Sequence, residues 1–345
     1  MKILIVTDAW LPQVNGVVRT LQMTVRELRA LAHEVDILSP DLFPSIPCPG
    51  YAEIRLALAS RRHVRQRMLA AAPDALHIAT EGPLGIHARA VAIGLNWPFT
   101  TAYHTRFPEY LRARLPIPLA LSYSFLRRFH DAGVATLAAT PAIVEALSSR
   151  GFASPRLWSR GVDTVLFNPE GPREPRTNAP VFLHVGRIAV EKQVEEFLKL
   201  DLPGEKWVVG DGPERARLQA AYPLARWFGV LQGQALARVF RSADVKVFTS
   251  VTDTFGLVLV EAMASGTPVA AFPVAGPLDV IGSSAGGVLD VDLRRACLAA
   301  LLLPRQGARA HAMTFSWAAA TRQFVNALPT IPRPVSADGL LNALT

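Results

Sequence analysis

Four charged residues stand where charge is costly unless a ligand shares it. In TDTFGLVLVEAMASGTPVA, residues 252–270, two carboxylates, Asp253 and Glu261, have seven mostly apolar residues between them. A carboxylate inside LVLVEAMA either finds hydrogen-bond donors or takes up a proton. The hydroxyl pair of a sugar is such a set of donors. Without one, Glu261 must snorkel on an exposed helix face. Asp253 lies in the loop before that helix, where it can reach a second polyol. Gly256 opens the helix and permits close backbone approach to a ligand. In HVGRIAVEKQVEEFL, Arg187 follows a strand and Lys192 comes five residues later, near the first turn of a helix. Cations are disfavoured at a helix start by the helix dipole. A diphosphate reverses that, because Arg grips it bidentately and Lys adds a point charge. The alternative is a solvated pair of cations. VVGDGPE, 208–214, is a strand followed by a Gly-Asp-Gly-Pro turn, with Pro213 expected at the first position of a helix.

The elements that must position these residues alternate regularly. Strands are expected at 3–7, 34–39, 75–80, 99–105 and 133–140, then at 180–186, 206–210, 225–229, 244–250 and 267–272. Helices are expected at 17–31, 61–72, 191–200, 213–221 and 256–265. Strands apolar on both faces and separated by helices mean parallel sheets covered on both sides. The proline-rich stretch 167–180 reads as a linker or surface loop between two such units. The expected fold is α/β, with two doubly wound Rossmann-like domains facing across a cleft. Ligands in such folds bind beyond the carboxyl ends of the strands. The first strand ends in TDAWLPQVNGVVRTL, without GxGxxG, which disfavours a nicotinamide site. Asn15 and Gly16 stand where the next helix begins, and backbone N–H groups there can face an anion.

Composition narrows the class. The chain has 345 residues, half of them hydrophobic, and suits two domains. No apolar run is long enough to span a bilayer, and MKILIVTD reads as a first strand rather than a signal peptide. Cys48 and Cys297 are the two cysteines; they suggest neither a metal site nor a disulfide, and a cytoplasmic location is expected. The net charge of +8 is carried by arginine, with five lysines. Such a balance fits either a base-composition bias or an anionic partner. The basic clusters accompany no recognisable nucleic-acid module, so nucleic acid is not an expected partner.

GRIAVEK, GDGPE and TDTFGLVLVEAMASGTPVA, in this order, resemble the donor domain of retaining glycosyltransferases of the GT-B fold, specifically glycosyltransferase family 4. TDAWLPQVNGVVRTL, TEGPLG, YHTRFPEYL and SRGVDTVLF are also similar to members of that family. The resemblance implies an acceptor-binding domain over 1–165, rejoined by a C-terminal helix in 316–345, and a nucleotide-sugar domain over 166–315. It implies that Arg187 and Lys192 hold the diphosphate and stabilise it as it leaves. Glu261 would bind the ribose hydroxyls, and Phe255, Gly256 and Leu257 would contact donor sugar and phosphate through their backbone. Gly16 would lie close to the diphosphate and His104 near the transferred sugar. The base would be read by backbone groups near Val230 and Leu231. The family usually has Glu where this chain has Asp253, so the reach of that carboxylate and the donor-sugar preference are open. The donor would be a UDP- or GDP-sugar, with no cofactor and no metal. The Asp-x-Asp triplet at 290–292 reads as surface.

The acceptor is read from two arginine-rich stretches in the first domain. Residues 106–130 mix five arginines with Phe107, Tyr110, Tyr123, Phe125 and Phe129, and residues 55–67 carry five more arginines. Basic, aromatic, amphipathic helices suit an anionic lipid surface; domain packing with solvated arginines is the plainer reading. The expected function is hexosyl transfer to a membrane lipid such as diacylglycerol by a peripheral protein on the inner face of the cytoplasmic membrane. The alternatives are a soluble mannosyltransferase of polysaccharide or glycoconjugate assembly, a related GT-B enzyme such as an epimerase, or a non-catalytic sugar-nucleotide-binding protein.

Overall fold

The structure is a computed structural model that describes residues 1–48, 51–114 and 117–332. Residues 333–345 of the expected C-terminal segment, and the side chains of Tyr110 and Arg114, lie outside the described residues.

The first half forms β1 (Lys2–Val6), β2 (Glu34–Leu38), β3 (Ser45–Cys48), β4 (Tyr51–Ala57), β5 (Ala75–Ile78), β6 (Thr100–Tyr103), β7 (Ala135–Ala138) and β8 (Pro155–Leu157). Six of them make a parallel sheet in the order β2-β1-β5-β6-β7-β8, and β3 and β4 form a separate antiparallel hairpin. The second half forms β9 (Val181–Val185), β10 (Glu205–Val209), β11 (Arg226–Gly229), β12 (Val245–Phe248), β13 (Val269–Ala271) and β14 (Gly287–Leu289). These make a second parallel sheet in the order β11-β10-β9-β12-β13-β14. In both sheets the chain starts near the middle and winds outward to both sides, which places a crevice at the carboxyl ends of the central strands. The hairpin, β8 and β14 were not expected: β3, β8 and β14 have four residues or fewer, and β4, YAEIRLA, has its apolar run broken by Glu53 and Arg55.

Each sheet is buried on both faces because its strands are mostly apolar, with His77, His184 and Lys246 buried among them. Ile3 and Ile5 pack with Leu21, Leu28, Trp158 and Phe324 on one face of the first sheet. Leu4 and Val6 pack with Met68, Leu84, Val91 and Phe129 on the other. The second sheet is covered in the same way. The Trp317–Ala327 helix returns to the first sheet and packs against the Gly16–Ala30 helix. The 167–180 stretch is tied down on the second half: Glu174 N–H donates to Ser242 Oγ, and Arg176 pairs with Asp244.

Two expected helices differ in detail. The 191–200 helix is split into a 3-10 turn, Val190–Lys192, and a helix, Val194–Lys199. The break is at Gln193, whose φ of 49° is left-handed. The helix expected from 213 begins at Arg215, and Pro213 lies in the turn before it. That turn is committed elsewhere, because Glu214 N–H donates to Ile188 O.

Candidate active site

The site is built from the loops at the carboxyl ends of β1, β6, β9, β10 and β12. Ser250 to Gly256 form the loop after β12, and Leu257–Ala264 is the helix it feeds. Gly256 caps that helix with a φ of 81°. A β-carbon there would meet Phe248 and Leu259 at about 3.1 Å, so both the turn and the space require glycine. Behind β9, Gly210 has a φ of 136°, and a β-carbon on it would lie 1.9 Å from Gly186 O. The GDGPE turn therefore packs directly on the strand end that carries Arg187.

Lys192 and Asp253 meet. Nζ of Lys192 donates to Oδ1 of Asp253, and both side chains are mostly shielded from solvent. Thr249 Oγ1 donates to Lys192 O and fixes the turn under it. Thr254 Oγ1 donates to His104 O at 2.8 Å. This bond ties the Asp253 loop to the end of β6, in the opposite half of the chain.

Glu261 is 8% exposed within its apolar helix. Its carboxylate accepts no hydrogen bond from any described residue. Burial pushes its pKa up to about 7, and the Arg19 guanidinium across the cleft holds it down in part. The helix face that carries Glu261 is not exposed, so the snorkelling alternative does not hold. Phe255 is buried against Phe315, and Leu257 packs on the cores of both halves. Val230 is exposed beyond β11, while Leu231 packs partly on the second core.

Gly16 is the first residue of the Gly16–Ala30 helix, and a β-carbon on it would meet nothing within 4 Å. The first-turn amides are less free than expected. Asn15 has extended backbone, so its Oδ1 reaches and accepts the N–H groups of Val17 and Val18, each at 3.0 Å.

His104 is partly buried at the end of β6. Its Nδ1 lies 3.3 Å from Nη2 of Arg160. Burial, Arg160, His77 and His130 hold its pKa well below the ordinary imidazole value. Arg160 is 4% exposed and stacks over the Trp158 ring at 4.3 Å. It donates to the carbonyls of Trp158 and Ser159 but pairs with no carboxylate among the described residues. Asp8, just past β1, accepts hydrogen bonds from Thr80 Oγ1 and from the N–H groups of Leu84 and Gly85. It anchors the start of the Pro83–Gly94 helix beside the cleft.

Asp8, Arg19, Arg160 and Thr254 were missed by sequence reasoning. The TD at a strand end and the unaccompanied Arg in SRGVDT are the signals that could have found two of them. The Asp290–Asp292 triplet is used structurally: Asp290 pairs with Arg295, and Asp292 caps the Leu293–Ala300 helix.

The two halves of the chain each match a known family. Residues 14–166 match the model of Glycosyltransferase Family 4, and residues 179–302 match that of Glycosyl transferases group 1. A GDP-mannose-dependent alpha-mannosyltransferase of Mycobacterium tuberculosis is 31% identical over 84% of this chain and 83% of its own length. The chain belongs to glycosyltransferase family 4. An alpha-monoglucosyldiacylglycerol synthase of Streptococcus pneumoniae is 24% identical over 79% of this chain and 71% of its own. Among solved structures, a sucrose-phosphate synthase from Thermosynechococcus elongatus superimposes with a TM-score of 0.76 at 18% identity, covering all of both chains. The family 4 chain is thus a glycosyltransferase with the GT-B fold.

In this family 4 chain the arginine-rich helices do not all face outward. On the Leu119–His130 helix, Ser122, Leu126, Phe129 and His130 turn inward. Phe129, expected at a membrane boundary, is 4% exposed and belongs to the first-domain core. Tyr123 is held by Glu109 through its hydroxyl. Leu121 and Phe125 are 64% and 53% exposed, Phe107 is 47% exposed, and Arg112, Arg127 and Arg128 are exposed near them in sequence. No helix of the described residues is long and apolar enough to cross a membrane.

Proposed function

We propose that this glycosyltransferase moves a hexosyl group, with retention, from a UDP- or GDP-sugar to a lipid acceptor held at an anionic membrane surface. The observation that carries the acceptor reading is the exposed stripe Leu121–Phe125–Arg128 on one helix face, with Phe107 exposed on the Phe107–Arg114 helix that packs against it. Positions i, i+4 and i+7 share a helix face. An apolar stripe edged by arginine on a surface helix suits the headgroup boundary of a bilayer. The S. pneumoniae relative, a synthase of a glucosyldiacylglycerol, agrees with this chemistry.

The donor reading rests on the site. Breaking the sugar–diphosphate bond leaves extra negative charge on the departing phosphate. Arg187 and Lys192, preorganised at the end of β9, stabilise that charge without a metal ion. Glu261 accepts the ribose hydroxyls that its burial calls for. Asp253 orients Lys192 and offers its second oxygen to the sugar. Attack from the leaving group's own face lets the phosphate oxygen take the acceptor's proton, so no protein base is required.

A soluble mannosyltransferase is the second reading, favoured by the higher identity to the GDP-mannose-dependent relative. The deciding experiment is a panel of UDP-glucose, UDP-galactose and GDP-mannose, run with and without lipid extract, with products identified by mass spectrometry. A glycolipid formed only with extract supports the first reading. Transfer only to water-soluble acceptors overturns it.

A further inference from the structure

We infer that Arg160 is a positioning residue that holds His104 as the neutral Nε2–H tautomer, so that His104 serves the donor sugar as a hydrogen-bond donor and never as a base. The inference rests on the donor-site reading above for the sugar, but on geometry alone for the tautomer.

A guanidinium has only donors. Nη2 of Arg160 approaches Nδ1 of His104 at 3.3 Å, so Nδ1 must offer its lone pair. The ring proton is then on Nε2. Nε2 is buried and meets no acceptor among the described residues. Arg160 is itself immobilised, stacked on Trp158 and bonded to two carbonyls. His104 also packs edge-on with Trp158, ring centroids 5.6 Å apart, and its carbonyl accepts from Thr254. Arg160 also acts through its charge. Three basic groups face His104: Arg160, His77 and His130, with Glu81 paired to His130 at 3.0 Å. Protonating Nδ1 would set a second cation against a guanidinium that has no carboxylate partner among the described residues. The ring is therefore kept neutral, and the bond from Arg160 decides which nitrogen carries the proton.

The test is nitrogen NMR of the full chain with 15N-labelled histidine, the His104 signals being assigned by their loss in His104→Ala. Nδ1 should appear at the unprotonated position and Nε2 at the protonated position from pH 6 to 8. In Arg160→Met both nitrogens should average between tautomers, and the ring should titrate nearer the ordinary imidazole range. Arg160→Lys, which restores a charged donor, should return the wild-type pattern. With saturating donor, Arg160→Met should lower kcat about tenfold, the worth of one oriented hydrogen bond, with KM for the donor within about twofold. A protonated Nδ1 in the wild-type protein, or an Arg160→Met spectrum unchanged from wild type, overturns the inference. The wild-type spectrum decides the tautomer even if Arg160→Met does not fold. Addition of UDP-glucose and GDP-mannose separates the two readings: a correct tautomer whose Nε2 signal moves with neither ligand removes the donor-site role and leaves the Arg160 assignment standing.

Discussion

Lys192 and Asp253, 61 residues apart in the chain, form an ion pair between the end of β9 and the loop after β12. The pair joins a cation expected on the diphosphate to the carboxylate that departs from the family's usual Glu. Asp253 is one methylene shorter than that Glu, and the loop that carries it is tied to His104 O by Thr254.

Removing the charges of both Arg187 and Lys192 should abolish transfer in a folded protein. Two charge-assisted contacts at about 1.5 to 3 kcal/mol each predict a loss of roughly 3 to 6 kcal/mol, or about a hundredfold to ten-thousandfold in kcat/KM. Steady-state kinetics of the double Ala variant, with circular dichroism as the folding control, measures this. Transfer should also persist in EDTA. Near-normal turnover of the variant, or strict metal dependence, contradicts the assignment.

Asp253→Glu should shift donor choice more than fold stability. The longer carboxylate can still pair with Lys192 but would present its second oxygen further into the cleft, to a different sugar hydroxyl. The ratio of kcat/KM values across the donor panel should change by about tenfold, the worth of one hydrogen bond. Equal changes for every donor would mean that Asp253 serves Lys192 alone.

Glu261→Gln should weaken nucleotide binding while stabilising the unliganded protein above pH 7. The native pKa is about 7 against an ordinary value of 4.5. Between these two values the folded state binds more protons than the unfolded state, so stability falls as pH rises through that window. The ionised form costs roughly 3 kcal/mol at most, at 1.36 kcal/mol per unit, and Gln is neutral at every pH. Ribose hydroxyls favour the ionised form, so nucleotide affinity should fall as pH drops below about 7, and binding should release a proton. Thermal melts and titration calorimetry in two buffers test both signs. A variant that binds as tightly as wild type, with an unchanged melt, would leave Glu261 a structural residue.

Vesicles containing phosphatidylglycerol should bind the protein more tightly than neutral ones, and high salt should weaken this, because screening at physiological ionic strength acts within about 8 Å. Changing Arg112, Arg114, Arg127 and Arg128 to Gln should lower vesicle affinity at least tenfold, at about 1 kcal/mol for each cation at the surface. Phe125→Ser with Leu121→Ser should do the same without loss of fold, since both side chains are exposed. Hydrolysis of the sugar nucleotide should be unaffected. Cosedimentation equal for anionic and neutral vesicles would make this face an ordinary solvated surface.

Much of the architecture was written locally. Buried parallel strands need mostly apolar side chains on both faces, so VFLHV and VKVF are legible despite the buried His184 and Lys246. Gly256 and Gly210 are legible for the same reason: a left-handed backbone and a close approach exclude a side chain. The motif order alone carried the family, and with it the positions of Arg187, Lys192, Asp253 and Glu261. Only the tertiary structure decided which of these meet. The bond from Thr254 to His104 O spans 150 residues, and the contact of Arg160 with His104 spans 56. Periodicity also could not separate Phe125 from Phe129. Both lie on one amphipathic helix, and the packing of the first-domain core turned Phe129 inward and left Phe125 in solvent. A residue's type and spacing set what it can donate, accept or bury; its partner depends on the folding of both sheets, which brings distant loop ends to one cleft.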